Sequence, residues 1–457
     1  MQVLSISDIL SATGGELVHK STNAAYINIT DITTDSRKVT GETLFVPLKG
    51  EKMDGHDFIN SAIEHGAAIS LTERDESYNS GNIIKVADSR KALGDIAKYY
   101  KAKYPVPTVS ITGSVGKTTT KDLVYSVISQ GFNTHKTPNN FNNDIGVPLT
   151  VFGIEKEHTA AIIEMGMNHF GEIEYLADIV KPDCAIITNI GMSHIENLGS
   201  QEGILKAKLE ITKNFTAANT LFVNGDDKHL SQIGETEYKI VRYGINESND
   251  VYAKDIVNNG LEGVSFTAVC DKGEFSVTIR QPGVHNVYNA LAAICAGLHM
   301  GLDFEQCSRG IEECVYTSSR LEVINAGGIE IINDCYNSSP DSVRAALKVM
   351  SLSLKPRKVA ILGDILEMGE FAPDAHYALG KSVKESGADL LITAGEMAKN
   401  IADGAKEAGV CEVISFDSTD SLKKNIKTII KSGDCVLIKA SHGMRFIEIT
   451  QVLTSSI

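Results

Sequence analysis

From residue 108 onward the chain repeats one pattern: short apolar runs alternate with stretches of helical periodicity. TVSIT, AAIIEMG, CAIITNIG and TLFVNGDD form a first series, and IEIIND, KVAILGD, DLLITAG, EVISFD and DCVLIKA a second. Runs that are apolar throughout are buried on both faces, so each series predicts a parallel sheet covered by helices on both sides. The pair GVSFTAVCDKGEFSVTI interrupts the first series as a hairpin, before the helical stretch HNVYNALAAICAGLHMG. The opening block differs. Its strands, such as LFVPL and AAISLTE, are mixed with helices, the last being SRKALGDIAKYYKAKY. Pro105 and Pro107 in YPVPT remove donors and discourage helix continuation, which marks a linker. A chain of 457 residues is too long for one core. The expected class is α/β in three domains: a small mixed α/β domain over 1–103, a central parallel sheet over 104–316, and a C-terminal α/β domain over 317–457.

Composition narrows the function. A net charge of −15 argues against nucleic-acid binding, which favours a basic face, but leaves room for anionic small molecules held by local amides and lysines. The start MQVLSISDILSATGG lacks the basic and apolar regions of a signal peptide, and no apolar run is long enough to cross a bilayer. The eight cysteines show no metal-type spacing, so the expectation is a cytoplasmic protein with reduced thiols, a monomer, without membrane insertion.

The chemistry begins at TGSVGKTTT. Gly113 and Gly116 follow a buried strand and let the backbone of Gly113, Ser114, Val115 and Gly116 curl round an anion, while the helix that comes next offers its positive end. Lys117 would reach β- and γ-phosphates, and Thr118, followed by Thr119, would place a hydroxyl on magnesium. The spacing is shorter than in the usual nucleotide loop, where a glycine stands at the position of Ile111. Glu164 and His194 fall at or just beyond neighbouring strand ends, where open parallel sheets gather ligands. Together they suit a cation beside the phosphates; singly, each suits a loop or a helix cap.

The stretch EGILKAKLEITK adds an oddity. At 100° per residue Ile204, Leu205, Ala207 and Ile211 share one arc, and Lys208 falls inside it, whereas Lys206 lies on the charged face. A lysine on a buried face either snorkels to water or is chemically altered.

TGSVGKTTT, TPNNFNNDIGVPLT, EMGMN, SHIENLGS with KAKLEI, GVHNVYNALAA, SSRLEV, DCYNSSPDS, LGDILEMGE and KASHGMR succeed one another in an order that resembles the Mur ligases over nearly the whole chain. The resemblance is nearest to the branch that joins D-alanyl-D-alanine to a UDP-N-acetylmuramoyl-tripeptide (UDP-MurNAc-tripeptide). It implies an ATP-dependent ligase working through an acyl-phosphate, with magnesium, a central P-loop ATPase-type sheet and a Rossmann-like third domain that closes over ATP and binds the dipeptide. Lys117 and Thr118 match the phosphate lysine and the magnesium threonine, and Glu164 and His194 the metal-associated pair. Lys208 matches the lysine that carries carbon dioxide as a carbamate. Asn286 and Asn289 match the adenine-side motif, Arg320 the arginine brought by the third domain, and Asp334 with Tyr336 a nucleotide element of the closed form. In the first block Ser36, Arg37, Lys49, Asp54, His56 and Phe58 match the uridine-nucleotide region, and Asn139, Asn140, Asn142 and Asn143 are candidates for the peptide. Caps, turns and surface ion pairs would also account for many of these residues.

Two departures stand out. Ser338 and Ser339 occupy positions where this branch usually has Ala-Asn, and Ala440 one where glycine is common. Rival readings are a sister ligase adding a single amino acid, a folate polyglutamate ligase, and a regulatory nucleotide-binding module. The diamino-acid member of the first would carry an Asn-Pro-Arg signature that is not seen here, the second would lack the UDP-type first block that this chain has, and the third leaves Lys208 and the third domain unexplained.

Overall fold

The computed structural model describes residues 1–20, 27–78, 80–410 and 412–455. Three main sheets succeed one another along the chain, each built from one continuous stretch of sequence. The first has five strands, in the order Glu16–His19, Ile83–Lys85, Ile69–Thr72, Thr43–Phe45, Asp31–Thr33. All its pairings are parallel except the first.

The central sheet has nine strands. Thr108–Thr112 lies inside it, flanked in parallel by Cys184–Ile187 and Ala160–Glu164. All three are buried along their whole length, as their unbroken apolar runs require. Val264–Cys270 and Gly273–Ile279 pair antiparallel and extend the sheet at its far edge, so the expected hairpin is part of the sheet. The third sheet has six strands. Glu322–Ala326 pairs antiparallel with Ile329–Asn333, and the remaining neighbours Asp434–Lys439, Arg357–Gly363, Leu390–Ala394 and Glu412–Phe416 run parallel.

Several helices begin where a side chain satisfies a first amide. Asp88 caps Ser89–Lys103, Asp303 and Gln306 form a capping box at Phe304–Glu312, and Ser339 caps Pro340–Ser351, whose first residue is proline. The departure at Ser339 thus has a local role as a helix cap. Helix Lys117–Ile128 has no side-chain cap. It starts from Gly116 at φ 85°, and the amides of Lys117, Thr118 and Thr119 have no partner among the described residues. An uncapped helix end at the carboxyl edge of a parallel sheet is a place for an anion.

The stretch 202–213 is α-helical only as Gln201–Leu209, with Glu210–Thr212 continuing as a 3-10 turn. Lys208 is 1% exposed and Lys206 is exposed, as the periodicity requires.

Candidate functional site

A cavity of about 440 Å3 opens where the carboxyl ends of the central strands meet the third sheet. The glycine-rich loop 113–116 forms one wall. Asn189, two residues past strand Cys184–Ile187, clasps that loop: its Oδ1 accepts from the Val115 amide (2.9 Å) and its Nδ2 donates to the Val115 carbonyl (2.9 Å). Its own carbonyl accepts from the Ser114 amide (3.1 Å). The donors left for an anion are therefore the first amides of the helix rather than those of Ser114 and Val115. Gly113 has φ 151°, and a Cβ there would collide with Thr188 Oγ1, which itself donates to the Val115 carbonyl (2.6 Å). A Cβ on Gly116 would lie 2.9 Å from Asn289 Oδ1. Both glycines are required by space as well as by backbone angle.

Lys117 donates to the Gly113 carbonyl (2.8 Å), which folds its ammonium back over the loop. Burial holds its amine below the ordinary lysine value, with Glu164 opposing and Arg320 adding to the effect. Thr118 Oγ1 donates to Glu164 Oε2 (2.9 Å), and Glu164 Oε1 accepts from Asn142 Nδ2 (2.9 Å). Among the described residues no group of three or more His, Cys, Asp or Glu could hold a metal alone. One hydroxyl and one carboxylate beside free helix amides fit magnesium, which takes few protein ligands and completes its shell with phosphate oxygens and water.

His194 lines the same cavity, with its Nδ1 2.7 Å from Glu367 Oε2 of the third domain. The imidazole holds the Glu367 carboxyl below the usual carboxylate range. Both residues have φ 62°, an uncommon conformation for side chains of this kind. Sequence reasoning missed Glu367, although it lies within LGDILEMGE, because nothing in the chain foretells that its loop meets His194.

Asn286 and Asn289 stand on the first turns of helix His285–His299 and bond to one another (2.9 Å), while Asn289 Oδ1 accepts from Thr120 Oγ1 (3.1 Å). Beside them His285, also missed, is half-buried, and its pKa is pushed down to about 4 by desolvation, so its imidazole is neutral at neutral pH.

From the third domain come Arg320, Asp334 and Tyr336. The Arg320 guanidinium lies over the Tyr336 ring, 4.1 Å from its centroid, and its Nε is buried with no hydrogen-bond partner among the described residues. Asp334 Oδ2 accepts from Lys439 (2.5 Å) and Oδ1 from the Leu321 amide (3.1 Å). The buried Lys439 comes from KASHGMR, so Asp334 braces two segments of the cavity wall. Ser338 also lines the cavity, and its Oγ is buried without a partner among the described residues. Ala440 is fully buried, where its Cβ packs toward Gly363.

Lys208 stands outside the cavity wall yet within electrostatic reach of Lys117. Its amine has no hydrogen bond or ion pair among the described residues, and burial followed by the Lys117 charge holds it well below the ordinary lysine value.

Asn140, Asn142 and Asn143 line the cavity and Asn139, at φ 46°, does not. None of the six first-block candidates lines it. Arg37 is paired with Asp35 (2.8 Å), the backbones of Lys49 and Asp54 form an isolated antiparallel bridge, and the buried His56 binds Asp54 Oδ1 (2.7 Å). Ser36 sits in a 3-10 turn beside Arg37, and Phe58 is 38% exposed.

This three-part arrangement has close counterparts. Sequence models of the Mur ligase family, catalytic domain, of the Mur ligase middle domain, and of the Mur ligase, glutamate ligase domain match residues 28–101, 111–297 and 319–442. The Bacillus subtilis UDP-N-acetylmuramoyl-tripeptide–D-alanyl-D-alanine ligase is 39% identical over 93% of both chains. The chain belongs to the Mur ligase family. The Escherichia coli ligase of the same name is 31% identical over 98% of this Mur ligase and 98% of its own chain. Among solved structures, one of MurF from Acinetobacter baumannii superposes with a TM-score of 0.92 at 30% identity, covering all of both chains. The MurF ligase of Thermotoga maritima in complex with ADP superposes at 0.83 and 26% identity, over 93% of this Mur ligase and 97% of that chain.

Proposed function

We infer that this Mur ligase joins D-alanyl-D-alanine to a UDP-MurNAc-tripeptide at the expense of ATP. The observation that carries the chemistry is the single cavity in which Lys117, Thr118 and Glu164 of the central domain face Arg320 and Tyr336 of the third. The peptide carboxylate attacks the γ-phosphorus and ADP leaves, giving an acyl-phosphate. The amine of D-alanyl-D-alanine then attacks the acyl carbon, loses its proton and expels phosphate. Lys117 and the helix amides neutralise charge at the transferring phosphoryl group, and Arg320 adds a second cation from the opposite wall. Asn286 and Asn289 bind the adenine side, while Asp334 and Tyr336 fix Arg320 over the nucleotide. Thr118 and Glu164, with His194 and a modified Lys208, would hold magnesium, which supplies charge neutralisation at the phosphates. Closure of the third domain excludes water from the acyl-phosphate.

Lys208 carries a carbamate in the working enzyme. A buried amine without a counter-ion, beside a second lysine, is kept neutral and thus nucleophilic toward carbon dioxide; the product is an anionic carbamate plus one proton. A carbamate carbon signal from labelled carbon dioxide, absent in Lys208→Met, tests this directly.

In the same reading, residues 1–103 bind the UDP-MurNAc-tripeptide through Ser36, Arg37, Lys49, Asp54, His56 and Phe58. The asparagines at 139, 140, 142 and 143 bind its peptide, 104–316 carry ATP, and 317–457 close over it and hold the dipeptide. The enzyme works as a monomer in the cytoplasm; among the described residues no helix is long and apolar enough to cross a membrane. The deciding experiment is phosphate release from ATP, expected only when UDP-MurNAc-tripeptide and D-alanyl-D-alanine are both present. Release with a single amino acid or a folate in place of these would refute the assignment.

A further inference from the structure

The linker that leads from the central sheet into the third is fastened to the phosphate-loop helix by a buried carboxylate. Asp122 lies in the second turn of Lys117–Ile128 with its side chain 1% exposed. Its Oδ2 accepts from both the amide (2.9 Å) and the hydroxyl (2.7 Å) of Thr317. Its Oδ1 accepts from Lys136 Nζ (2.9 Å), and Lys121 Nζ lies 3.6 Å away. Linkers between domains usually run through solvent with few contacts, so a buried charge with this many donors is an unusual anchor.

The segment just beyond Thr317 is held in a constrained shape. Ser319 and Leu321 have φ 61° and 50°, a conformation that non-glycine residues adopt only when their surroundings impose it. Arg320 sits between them. Its carbonyl accepts from Gln281 Nε2 (2.7 Å), the Leu321 amide donates to Asp334 (3.1 Å), and the Tyr336 amide donates to the Ser319 carbonyl (3.2 Å). The backbone is thus pinned on both sides of the arginine that faces the phosphate loop.

We propose that Asp122 and Thr317 are positioning residues for ligation: they tie the segment carrying Arg320 to the helix whose first turn carries Lys117 and Thr118. The two cations that meet the phosphates from opposite walls are then referenced to one rigid element, whatever the third domain does beyond it. This rests on the reading that Arg320 acts on ATP phosphates.

The test is a double-mutant cycle on the full-length enzyme. Thr317→Val removes the hydroxyl bond at nearly constant shape, and Thr317→Ser restores it; Thr317→Ala is made in parallel, so that a folding failure of one variant leaves the other to decide. Small displacements of a catalytic group cost up to about 100-fold in rate, so Thr317→Val is expected to lower kcat about 10-fold with KM for ATP within about twofold. Thr317→Ser is expected to stay within about threefold of wild type, and Thr317→Val to cause no further loss on an Arg320→Ala background. A full rate in Thr317→Val and Thr317→Ala, or an equal loss on both backgrounds, overturns the proposal. Near-normal turnover by Arg320→Ala overturns the prior reading of Arg320 instead, so the two failures are distinguishable.

Discussion

Replacing Lys208 by methionine should make the protein more stable and less active at once. The side chain is 1% exposed and has no hydrogen bond or ion pair among the described residues. A buried polar group without a partner costs about 1–3 kcal/mol by mutational measures, and methionine fills similar space without that penalty. For a domain of roughly 200 residues each kcal/mol moves Tm by about 2–4 °C, so a rise of about 2–12 °C is expected. The pH dependence is set by the sign of the shift. Burial holds the folded amine well below the 10.5 of the unfolded chain, so between those two values the unfolded state binds more protons. Wild-type stability therefore climbs with pH across that window, and the advantage of Lys208→Met is largest at low pH and shrinks to the cost of the neutral buried amine by about pH 10.5. Calorimetry of both proteins in buffer free of carbon dioxide, over a pH series, measures this, with ligation assayed alongside. Lys206→Met, changed on the exposed face of the same helix, should match wild type in both assays. A lower Tm for Lys208→Met, a pH-independent difference, or full ligation activity would refute the reasoning.

Lys117→Ala should lower ligation by roughly 10³-fold or more, since a cation at phosphoryl transfer is worth several kcal/mol; near-normal turnover in a steady-state assay would remove the loop from the chemistry. Gly116→Ala forces a Cβ to within 2.9 Å of Asn289 Oδ1 at φ 85°, and should weaken ATP binding at least about 10-fold by calorimetric titration. In Lys208→Ala the vacated space should admit formate or acetate, which replace the missing carboxylate and restore part of the ligation rate; raised carbon dioxide should help wild type alone. Glu367→Gln keeps the shape but not the charge opposite His194, and a loss of about 10-fold in ligation is expected if that contact orders the imidazole.

The glycine turn before helix Lys117–Ile128, the strand-end position of Glu164 and the burial of Lys208 were legible because each depends on local rules: a glycine pair after a strand, a polar residue at a strand end, a lysine on an apolar arc. Asn189 was not. Its amide faces the loop only because strand Cys184–Ile187 pairs beside Thr108–Thr112, a neighbourhood that the apolar pattern cannot specify. Glu367 and Lys439 were hidden for a similar reason, since their loops belong to another sheet and meet the site only through packing between domains. The first-block residues stand apart from the central cavity: Asp54 engages both His56 and Arg74, and none of the six candidates lines that cavity. The helix end at Leu209 escaped because periodicity continues through Glu210–Thr212 while the hydrogen-bonding pattern changes.

Because each main sheet is drawn from one uninterrupted stretch of chain, synthesis delivers them to the ribosome exit one at a time. The five-stranded sheet is complete with Lys85 and can fold while the rest is still being made. The central sheet is less favoured. Thr108–Thr112 emerges first of its strands, yet its neighbours are Ala160–Glu164 and Cys184–Ile187, and the far edge ends only at Ile279. At roughly 5–20 residues per second, that apolar strand waits on the order of 10–30 s for the sheet to be finished. The nascent chain is most exposed to misassociation in that interval, before the glycine loop that follows the strand has any walls to face.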